Sequence, residues 1–234
     1  MKNLLMRGSQ GADVARLRAE LARQLGDDAA DFPGLAKGNV LDAACEAAIR
    51  RWQSGVGLIA DGVIGPLCQG LLGLRATPAL QVAATFESVR LLFPATKPAN
   101  VARYLPYVVA ALDATGLRDR PMVCAALGTI RAESEGFVPI AELPSRFNTP
   151  PGGTPFAAYE TGTRIGKMLG NTGAGDGALF KGRGFVQLTG RANYTAYGKL
   201  LGIALADQPD LANAPEVAAL LLAAFLAHQA KAMR

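Results

Sequence analysis

The chain has 234 residues, half of them hydrophobic, and a formal net charge of +5 from 24 Lys and Arg against 19 Asp and Glu. A chain of this length holds one large domain or two small ones. The mild basic excess suits an anionic polymer, but no cluster of Lys or Arg indicates a nucleic-acid groove, and no apolar segment reaches the roughly 18 residues of a membrane span. We expect no nucleic-acid partner and no stable membrane insertion, and we expect a monomer.

The first 75 residues predict a small domain of three helices. Apolar residues recur at helical spacing over 14–25 and again over 45–52, on either side of a break rich in Gly and Asp. In the segment GLIADGVIGPLCQGLLGL, Asp61 and Gly62 are typical of a turn, and Pro66 is typical of a first helical position. Residues 76–84 carry no strong pattern, so we predict a linker there and a second domain over 85–234.

The second domain is predicted to be mainly α-helical, with one short strand region. Asn100 is a candidate N-cap for a helix with an apolar face, and further helices are expected from about Pro121 and from near Pro215. Residues 136–182 form a long irregular stretch, which is unusual unless it is functional. In the segment FKGRGFVQLTGRANY, the alternation over residues 185–190 predicts a short strand with a polar face for a ligand.

The three cysteines are widely spaced and form no Cys-x-x-Cys pair. We expect Cys45, Cys68 and Cys124 to be small buried hydrophobes in a chain made in a reducing compartment. The first residues, MKNLLMRGSQ, are too short in their apolar part for a secretory signal. We therefore expect the chain to accumulate in the cytoplasm of the cell that makes it.

Glu133, in the segment MVCAALGTIRAESEGF, is the candidate general acid. At helical spacing it continues an apolar stripe of Met122, Ala126 and Ile130, whereas Glu135 faces away. A carboxyl group among apolar neighbours resists ionisation, and a general acid at neutral pH needs that property. The alternative is a Glu at a helix end whose carboxylate reaches water.

Metal and cofactor chemistry are not indicated. His228 is the only histidine and is expected to pack on an apolar helix, and one His with three scattered Cys cannot readily supply a zinc site. The segment GTRIGKM is one residue short of a phosphate loop, and GRGFVQ has the wrong spacing for a dinucleotide fingerprint. We expect no metal and no organic cofactor.

Residues 7–74 resemble the peptidoglycan-binding module that is common in cell-wall hydrolases. The similarity lies in GSQGADVARLRAEL and in EAAIRRWQSGVGLIADGVIGPLCQGLL. The resemblance implies recognition of the wall polymer, with Trp52, Gln53, Asp61 and Gly62 near the binding surface. Trp52 is equally compatible with a place in the core.

Residues 86–234 resemble glycoside hydrolase family 19, a lysozyme-like group that contains chitinases and many phage endolysins. The similarity lies in LFP, IRAESEGF, YETG, LGNTGAGDG and above all FKGRGFVQLTGRANY. It implies a lysozyme-like α-helical (α+β) catalytic domain in which the last motif lines a sugar-binding cleft. Family members usually have His where this chain has Ala132. Related endolysins continue beyond the helix at 215–230 into an Asn-Gly-Gly segment that this sequence does not contain.

The resemblance also implies roles for individual residues. Glu133 matches the general acid, Glu160 matches the second carboxylate with Glu142 as its rival, and Thr189 matches the hydroxyl that positions the attacking water. The implied substrate-binding residues are Arg183, Gln187, Asn193 and Tyr194. Such a pair of carboxyl groups hydrolyses a glycosidic bond with inversion when a water fits between them.

The sequence thus predicts a modular endolysin that binds peptidoglycan and hydrolyses the β-1,4 linkages of its glycan. Such a protein would reach the wall from the host cytoplasm only after the inner membrane is permeabilised. A chitinase of the same family and a non-catalytic wall-binding protein are the alternatives.

Overall fold

Helices dominate the fold, as predicted. A computed structural model describes residues 3–76 and 84–232, and within these residues one two-stranded sheet accompanies the helices. The α-helices are α1 (Ala12–Leu25), α2 (Ala43–Gly55), α3 (Pro66–Leu71), α4 (Phe86–Leu92), α5 (Pro98–Ala114), α6 (Arg120–Glu133), α7 (Arg164–Met168), α8 (Asp176–Leu179), α9 (Arg191–Leu201) and α10 (Pro215–Ala232). The strands are β1 (Ile140–Ala141) and β2 (Arg183–Gly184), and short 3-10 helices span Gly26–Asp31, Ala157–Tyr159 and Pro209–Asn213.

The N-terminal helices surround one apolar cluster. The helices α1 and α2 contribute the spaced apolar residues that the sequence predicted, and α3 begins at Pro66. The Asp42 carboxylate caps α2 by accepting the Cys45 N–H at 2.8 Å. Arg18 is buried, and its guanidinium donates to the carbonyl oxygens of Leu35 at 2.9 Å and Val40 at 2.7 Å. That guanidinium ties the irregular segment between α1 and α2 to the core.

The second part is organised around α10. Residues Val217–Ala223 are buried on every side of this helix, and α10 packs against α5, α6 and α9. A helix that is apolar all round belongs in the interior of a domain. No helix in the described residues has the length and apolarity needed to cross a bilayer.

Apolar contacts also join the two parts. Leu4 and Val63 belong to the same buried cluster as α5 and α10, and Leu58 packs against both clusters. The hydroxyl of Tyr107 in α5 accepts the N–H of Ile59 at 3.3 Å. Of the predicted linker over 76–84, residues 77–83 lie outside the described residues, and the division into two domains stays a prediction.

Several local predictions are wrong. α5 begins at Pro98 with Lys97 as its N-cap, whereas the Asn100 side chain donates to the Gly136 carbonyl at 2.9 Å. Cys45 and Cys68 are buried, but Cys124 is exposed on α6. The predicted strand over 185–190 is a turn, and β2 ends before it.

Candidate active site

The two-stranded sheet positions a carboxylate that begins the candidate site. β1 pairs antiparallel with β2, and Glu142 follows β1 directly. Its N–H donates to the carbonyl oxygen of Gly182 at 2.8 Å, and the Gly182 N–H donates back to Oε2 of Glu142 at 3.1 Å. The pairing therefore fixes both the backbone and the side chain of Glu142.

Two side chains hold the other carboxylate oxygen of Glu142. The Tyr159 hydroxyl and Nδ2 of Asn148 donate to Oε1 at 2.9 and 2.8 Å. Burial and the neighbouring Glu142 carboxylate raise the pKa of Tyr159 to about 12, so the phenol keeps its proton at neutral pH. Asn148 is fully buried, and its Oδ1 accepts the Ser145 N–H at 2.8 Å, which orients its amide. Glu142 is therefore a half-buried carboxylate with a defined orientation.

A tight turn presents the polar side chains of the FKGRGFVQLTGRANY segment. Arg183 and Leu188 exchange backbone hydrogen bonds of 3.2 and 2.9 Å, and Gln187 within the turn has a positive φ of 46°. Nε2 of Gln187 donates to the carbonyl of Ile140 in β1 at 3.0 Å, which anchors the turn to the sheet. The Thr189 hydroxyl donates to the Gln187 carbonyl at 2.7 Å. The polar side chains that the sequence assigned to a strand are thus held by a turn.

Three of these side chains meet around Gly182. A Cβ placed on this glycine would lie 2.8 Å from Oε1 of Gln187, 3.1 Å from Oε2 of Glu142 and 3.2 Å from Oγ1 of Thr189. The carboxylate of Glu142, the amide of Gln187 and the hydroxyl of Thr189 therefore converge on the space beside Gly182, which has no side chain to fill it. Such a set can accept a proton and hold a polar molecule by hydrogen bonds.

Glu160, the predicted second carboxylate, has a different setting. Its Oε2 accepts the Gly175 N–H at 2.8 Å, and its Oε1 accepts the Gly177 N–H at 2.7 Å. These two amides lie at the start of α8, so both oxygens of Glu160 bind backbone groups of the irregular stretch. The carboxylate therefore stabilises the loop between residues 160 and 177.

Glu133 is the last residue of α6 and is exposed. Ala126 and Ile130 are buried as the stripe predicted, but the helix and the core beneath it end together, so the predicted apolar shielding of Glu133 is wrong. The segment that follows Glu133 is anchored in the core by Phe137. Phe137 is buried and packs edge-on against Phe93, with ring centroids 4.9 Å apart.

Arg183 and Tyr194 do not lie in an open cleft. Arg183 is 5% exposed and Tyr194 is fully buried. The Arg183 guanidinium donates to the Tyr194 hydroxyl at 3.0 Å, to the Leu179 carbonyl at 2.9 Å and to the Asp210 carboxylate at 2.9 Å. Both residues therefore stabilise the loop beneath the motif, and their role in substrate binding stays a prediction.

Gln187, Thr189 and Asn193 line a groove of about 520 Å³, which reaches from the motif to α10. Asn193 is exposed, and its Nδ2 donates to the Thr189 carbonyl at 2.8 Å. His228, which was expected to be packed, is exposed and lines the same groove. These positions leave the three polar side chains of the motif accessible to a ligand.

The predicted wall-binding residues are largely interior. Trp52 is 4% exposed and its Nε1 donates to Oε1 of Gln24 at 2.9 Å. Gln53 is 1% exposed, with its amide bonded to Asp61 and to the Gly62 N–H, both at 2.9 Å. Of the four, only Asp61 is partly exposed; it lines a second groove, of about 690 Å³, between the two parts. Trp52 and Gln53 therefore belong to the interior of the N-terminal part, and a role of these four residues in wall binding stays a prediction.

Sequence reasoning missed Asn148 and Tyr159. Asn148 lies in the irregular stretch without any pattern, and Tyr159 was signalled only by its place beside Glu160 in YETG. Within the described part of the chain, no three His, Cys, Asp or Glu side chains are grouped as metal ligands.

Comparison with known proteins gives little further information. No protein-family model matches the chain, and no curated protein matches it. A similar solved structure is a chitinase C variant with 20% sequence identity and a TM-score of 0.40. The match covers 64% of this chain and 59% of the chitinase chain.

Proposed function

We propose that the chain is a glycoside hydrolase that cleaves the glycan of bacterial peptidoglycan, with Glu142 as the general base and Glu133 as the general acid. The observation that carries this proposal is the half-buried Glu142 carboxylate, oriented by Tyr159 and Asn148 beside the Thr189 hydroxyl. The sequence resemblance described above supports the choice of substrate.

Glu142 replaces Glu160 as the proposed base for a geometric reason. The base must reach a water that the Thr189 hydroxyl also holds. Oε2 of Glu142 and Oγ1 of Thr189 both lie close to Gly182, whereas Glu160 uses both oxygens to bind the backbone of Gly175 and Gly177. The rival assignment therefore becomes the preferred one.

The proposed reaction is a single inverting displacement. Glu133 gives its proton to the glycosidic oxygen as the C1–O bond breaks. A water held by Thr189 attacks C1 from the opposite face and gives its proton to Glu142, so the number of protons on the enzyme is unchanged. Because the Thr189 hydrogen goes to the Gln187 carbonyl, its oxygen lone pairs remain to accept a hydrogen bond from that water.

Exchange of Glu142 for Gln tests the assignment. We expect Glu142→Gln to lower kcat on oligomers of N-acetylglucosamine and on purified peptidoglycan by about 10²–10⁴-fold, because general base catalysis is worth that much. Glu135→Gln is the matched control, since Glu135 is exposed and lines a separate small pocket with Phe93 and Arg131, and it should retain full activity. Glu160→Gln should lower the melting temperature, because Glu160 stabilises the loop over 160–177, but it should leave the kcat of the folded enzyme nearly unchanged.

Two results would contradict the proposal. Full activity of Glu142→Gln would remove the assigned base, and a large loss of activity in Glu160→Gln at an unchanged melting temperature would restore Glu160 to that role. Proton NMR of the first products should show the anomer opposite to that of the substrate. Mass analysis of the fragments released from peptidoglycan identifies the bond that is cut.

The endolysin role is part of the proposal. Purified protein should clear permeabilised Gram-negative cells, and intact cells should resist it, since the wall lies behind a membrane. Clearing of intact cells at the same rate would contradict a requirement for permeabilisation. Cosedimentation of the Glu142→Gln variant with purified peptidoglycan tests wall binding separately from cleavage.

The exposure of Glu133 favours one other function, a non-catalytic wall-binding protein. Glu133 lies in water, without the apolar neighbours on which its assignment as general acid was based. In that case the protein would sediment with peptidoglycan but release no fragments, and Glu133→Gln would change neither result. A chitinase would instead cleave N-acetylglucosamine polymers and leave peptidoglycan intact.

A further inference from the structure

The groove between the N-terminal part and the second part shares no lining residue with the Glu142 site. Its volume of about 690 Å³ falls within the range of about 300–1,000 Å³ that is usual for small-molecule sites. The N-terminal part contributes Arg50 and Asp61 to the lining, and the segment before α10 contributes Asp207 and Asp210. The groove therefore has room for an organic ligand and presents charges of both signs to it.

Arg50 supplies the positive charge of the groove. Its Nε and Nη2 donate to Oε1 of Glu46 at 3.2 and 2.8 Å, and its Nη1 donates to the Ala60 carbonyl at 2.5 Å. These contacts hold the guanidinium across the turn that contains Asp61. A guanidinium has five N–H donors, and the Arg50 side chain is 45% exposed, so it can also bind the carboxylate of a ligand.

Asp61 places a carboxylate beside that cation. Its Oδ1 accepts hydrogen bonds from Nε2 of Gln53 and from the Val63 N–H, both at 2.9 Å, so Oδ2 keeps its capacity to accept. Burial raises the pKa of Asp61, and these hydrogen bonds together with the charge of Arg50 offset only part of the rise. An ammonium group close to Asp61 would therefore stabilise its ionised form.

The segment before α10 forms the other wall and is tied to the candidate active site. Asp207 is exposed, and the Asp210 side chain is 89% exposed although its Oδ1 accepts a hydrogen bond from Arg183 at 2.9 Å. Asn213 accepts the Gly184 N–H at 3.1 Å. Arg183 and Gly184 form β2, which pairs with β1 and positions the proposed base. The groove and the candidate active site are therefore built on the same strand.

The lining of the groove is also partly apolar. Ile59, Val63 and Leu211 line it together with Tyr104 of α5. The Tyr104 ring packs edge-on against Phe185, with ring centroids 6.3 Å apart, and this contact fixes its orientation. Apolar surface of this kind favours the methylene groups of a ligand. A ligand that complements the groove combines a short hydrocarbon chain with an end that carries both charges.

We propose that this groove binds the free end of the diamino acid in the stem peptide of Gram-negative peptidoglycan, where one carbon atom carries an ammonium group and a carboxylate. Arg50 pairs with the carboxylate, Asp61 and Asp207 bind the ammonium group, and the methylene groups lie on the apolar lining. The inference rests on the proposed function for the identity of the polymer. It adds recognition of the peptide to a protein that acts on the glycan.

Calorimetric titration of the full-length wild-type chain with two N-acetylated tripeptides tests this inference. One is L-alanyl-γ-D-glutamyl-meso-diaminopimelic acid. The other has L-lysine as its third residue, so it keeps the ammonium group and lacks the carboxylate on the same carbon. We expect the first to bind about fivefold more tightly, because a partly exposed ion pair is worth about that factor. Arg50→Gln should abolish this preference, and Asp207→Asn should weaken the binding of both peptides about threefold.

Arg51→Gln is the matched control, because Arg51 is the next residue of α2, pairs with Asp28 and lies outside the lining of the groove. It should keep the preference of the wild-type chain. Asp207→Asn keeps the test valid if Arg50→Gln fails to fold, because Asp207 is exposed. The inference is overturned if neither tripeptide binds, if both bind equally to the wild-type chain, or if Arg50→Gln keeps the preference. Unchanged affinities in Asp207→Asn would overturn the assigned ammonium site.

The outcomes separate this inference from the proposed function. If the wild-type chain hydrolyses oligomers of N-acetylglucosamine but does not distinguish the tripeptides, the hydrolase stands and the peptide site fails. If the preference is present and depends on Arg50, but the wild-type chain hydrolyses neither the oligomers nor peptidoglycan, the peptide site stands and the hydrolase fails.

Discussion

Glu216 offers the sharpest test of how the two parts of the chain are held together. It is the second residue of α10 and is fully buried. Its Oε1 accepts the N–H of Cys68 at 2.8 Å, and its Oε2 accepts the N–H of Leu67 at 3.3 Å, at the start of α3. Gly65 makes room for the carboxylate, because a Cβ there would lie 2.4 Å from Oε2. Burial raises the pKa of Glu216 from 4.5 to about 7, and the charge of Asp61 adds a smaller rise.

The magnitude follows from this pKa. One pK unit corresponds to about 1.4 kcal/mol, so the rise from 4.5 to about 7 corresponds to about 3 kcal/mol of unfolding free energy. The folded state binds the proton more tightly than the unfolded chain does. The contribution of Glu216 to stability is therefore greatest below pH 4.5, falls as the pH rises from 4.5 to about 7, and is smallest once the buried group is ionised.

Glu216→Gln removes the titrating group and keeps the shape of the side chain. From pH 5 to pH 8, we expect the free energy of unfolding of the wild-type chain to decrease by about 2–3 kcal/mol more than that of the variant. Urea denaturation at both pH values measures this difference. The interval from pH 5 to pH 8 suits this measurement, because the chain contains a single histidine, His228, and that residue is exposed.

Glu135→Gln is the control for this experiment, because it removes the same charge from an exposed position. It should leave the pH dependence of the wild-type chain unchanged. If Glu216→Gln and the wild-type chain lose the same free energy between pH 5 and pH 8, the reasoning from burial is refuted.

Cysteine labelling should separate the three thiols: Cys124 is exposed and should react with iodoacetamide in the native state, whereas Cys45 and Cys68 are buried and should react only on unfolding. Burial raises the pKa of Cys45 to about 11, and equal native rates by mass spectrometry would contradict this order. Hydrogen bonds from Arg191 lower the pKa of Asp176 from 3.8 to about 2, so the stability they provide is present above pH 3.8 and lost as the pH falls towards 2. Arg191→Ala should flatten this part of the acid-unfolding curve, and an unchanged curve would disprove the pairing.

Helices were predictable because burial follows a simple period. The apolar spacing of Val14, Leu17 and Leu21 gave α1, and the apolar run over 217–227 gave α10. These segments bury one face or all faces, and the sequence alone displays that pattern. Helix ends were less predictable, since the Asn100 side chain serves the Gly136 carbonyl rather than the end of α5.

The turn over 185–188 could not be predicted from alternation. Gly184 and Gln187 have positive φ values of 76° and 46°, which reverse the chain where a strand would continue. Alternating polar and apolar residues arise in a tight turn as well as in a strand. The deciding contact joins Gln187 to Ile140, 47 residues earlier, and local sequence does not record it.

The candidate site was predictable in its motif but not in its carboxylates. Thr189 and Gln187 lie together because they are neighbours in the chain. Preference for Glu142 over Glu160 depends on Tyr159 and on Gly182, which reach Glu142 from 17 and 40 residues away. The exposure of Glu133 likewise depends on where the core ends, and periodicity along one helix does not report that.

The sharing of Leu4 and Val63 with the cluster of α5 and α10 has a consequence for protein engineering. Replacing the first 76 residues with an unrelated domain would expose the apolar surface of α5 and α10 that Leu4 and Val63 cover. The remaining chain would then be prone to aggregation. A chimaera must therefore retain the apolar residues on both sides of this contact, or replace those left exposed with polar residues.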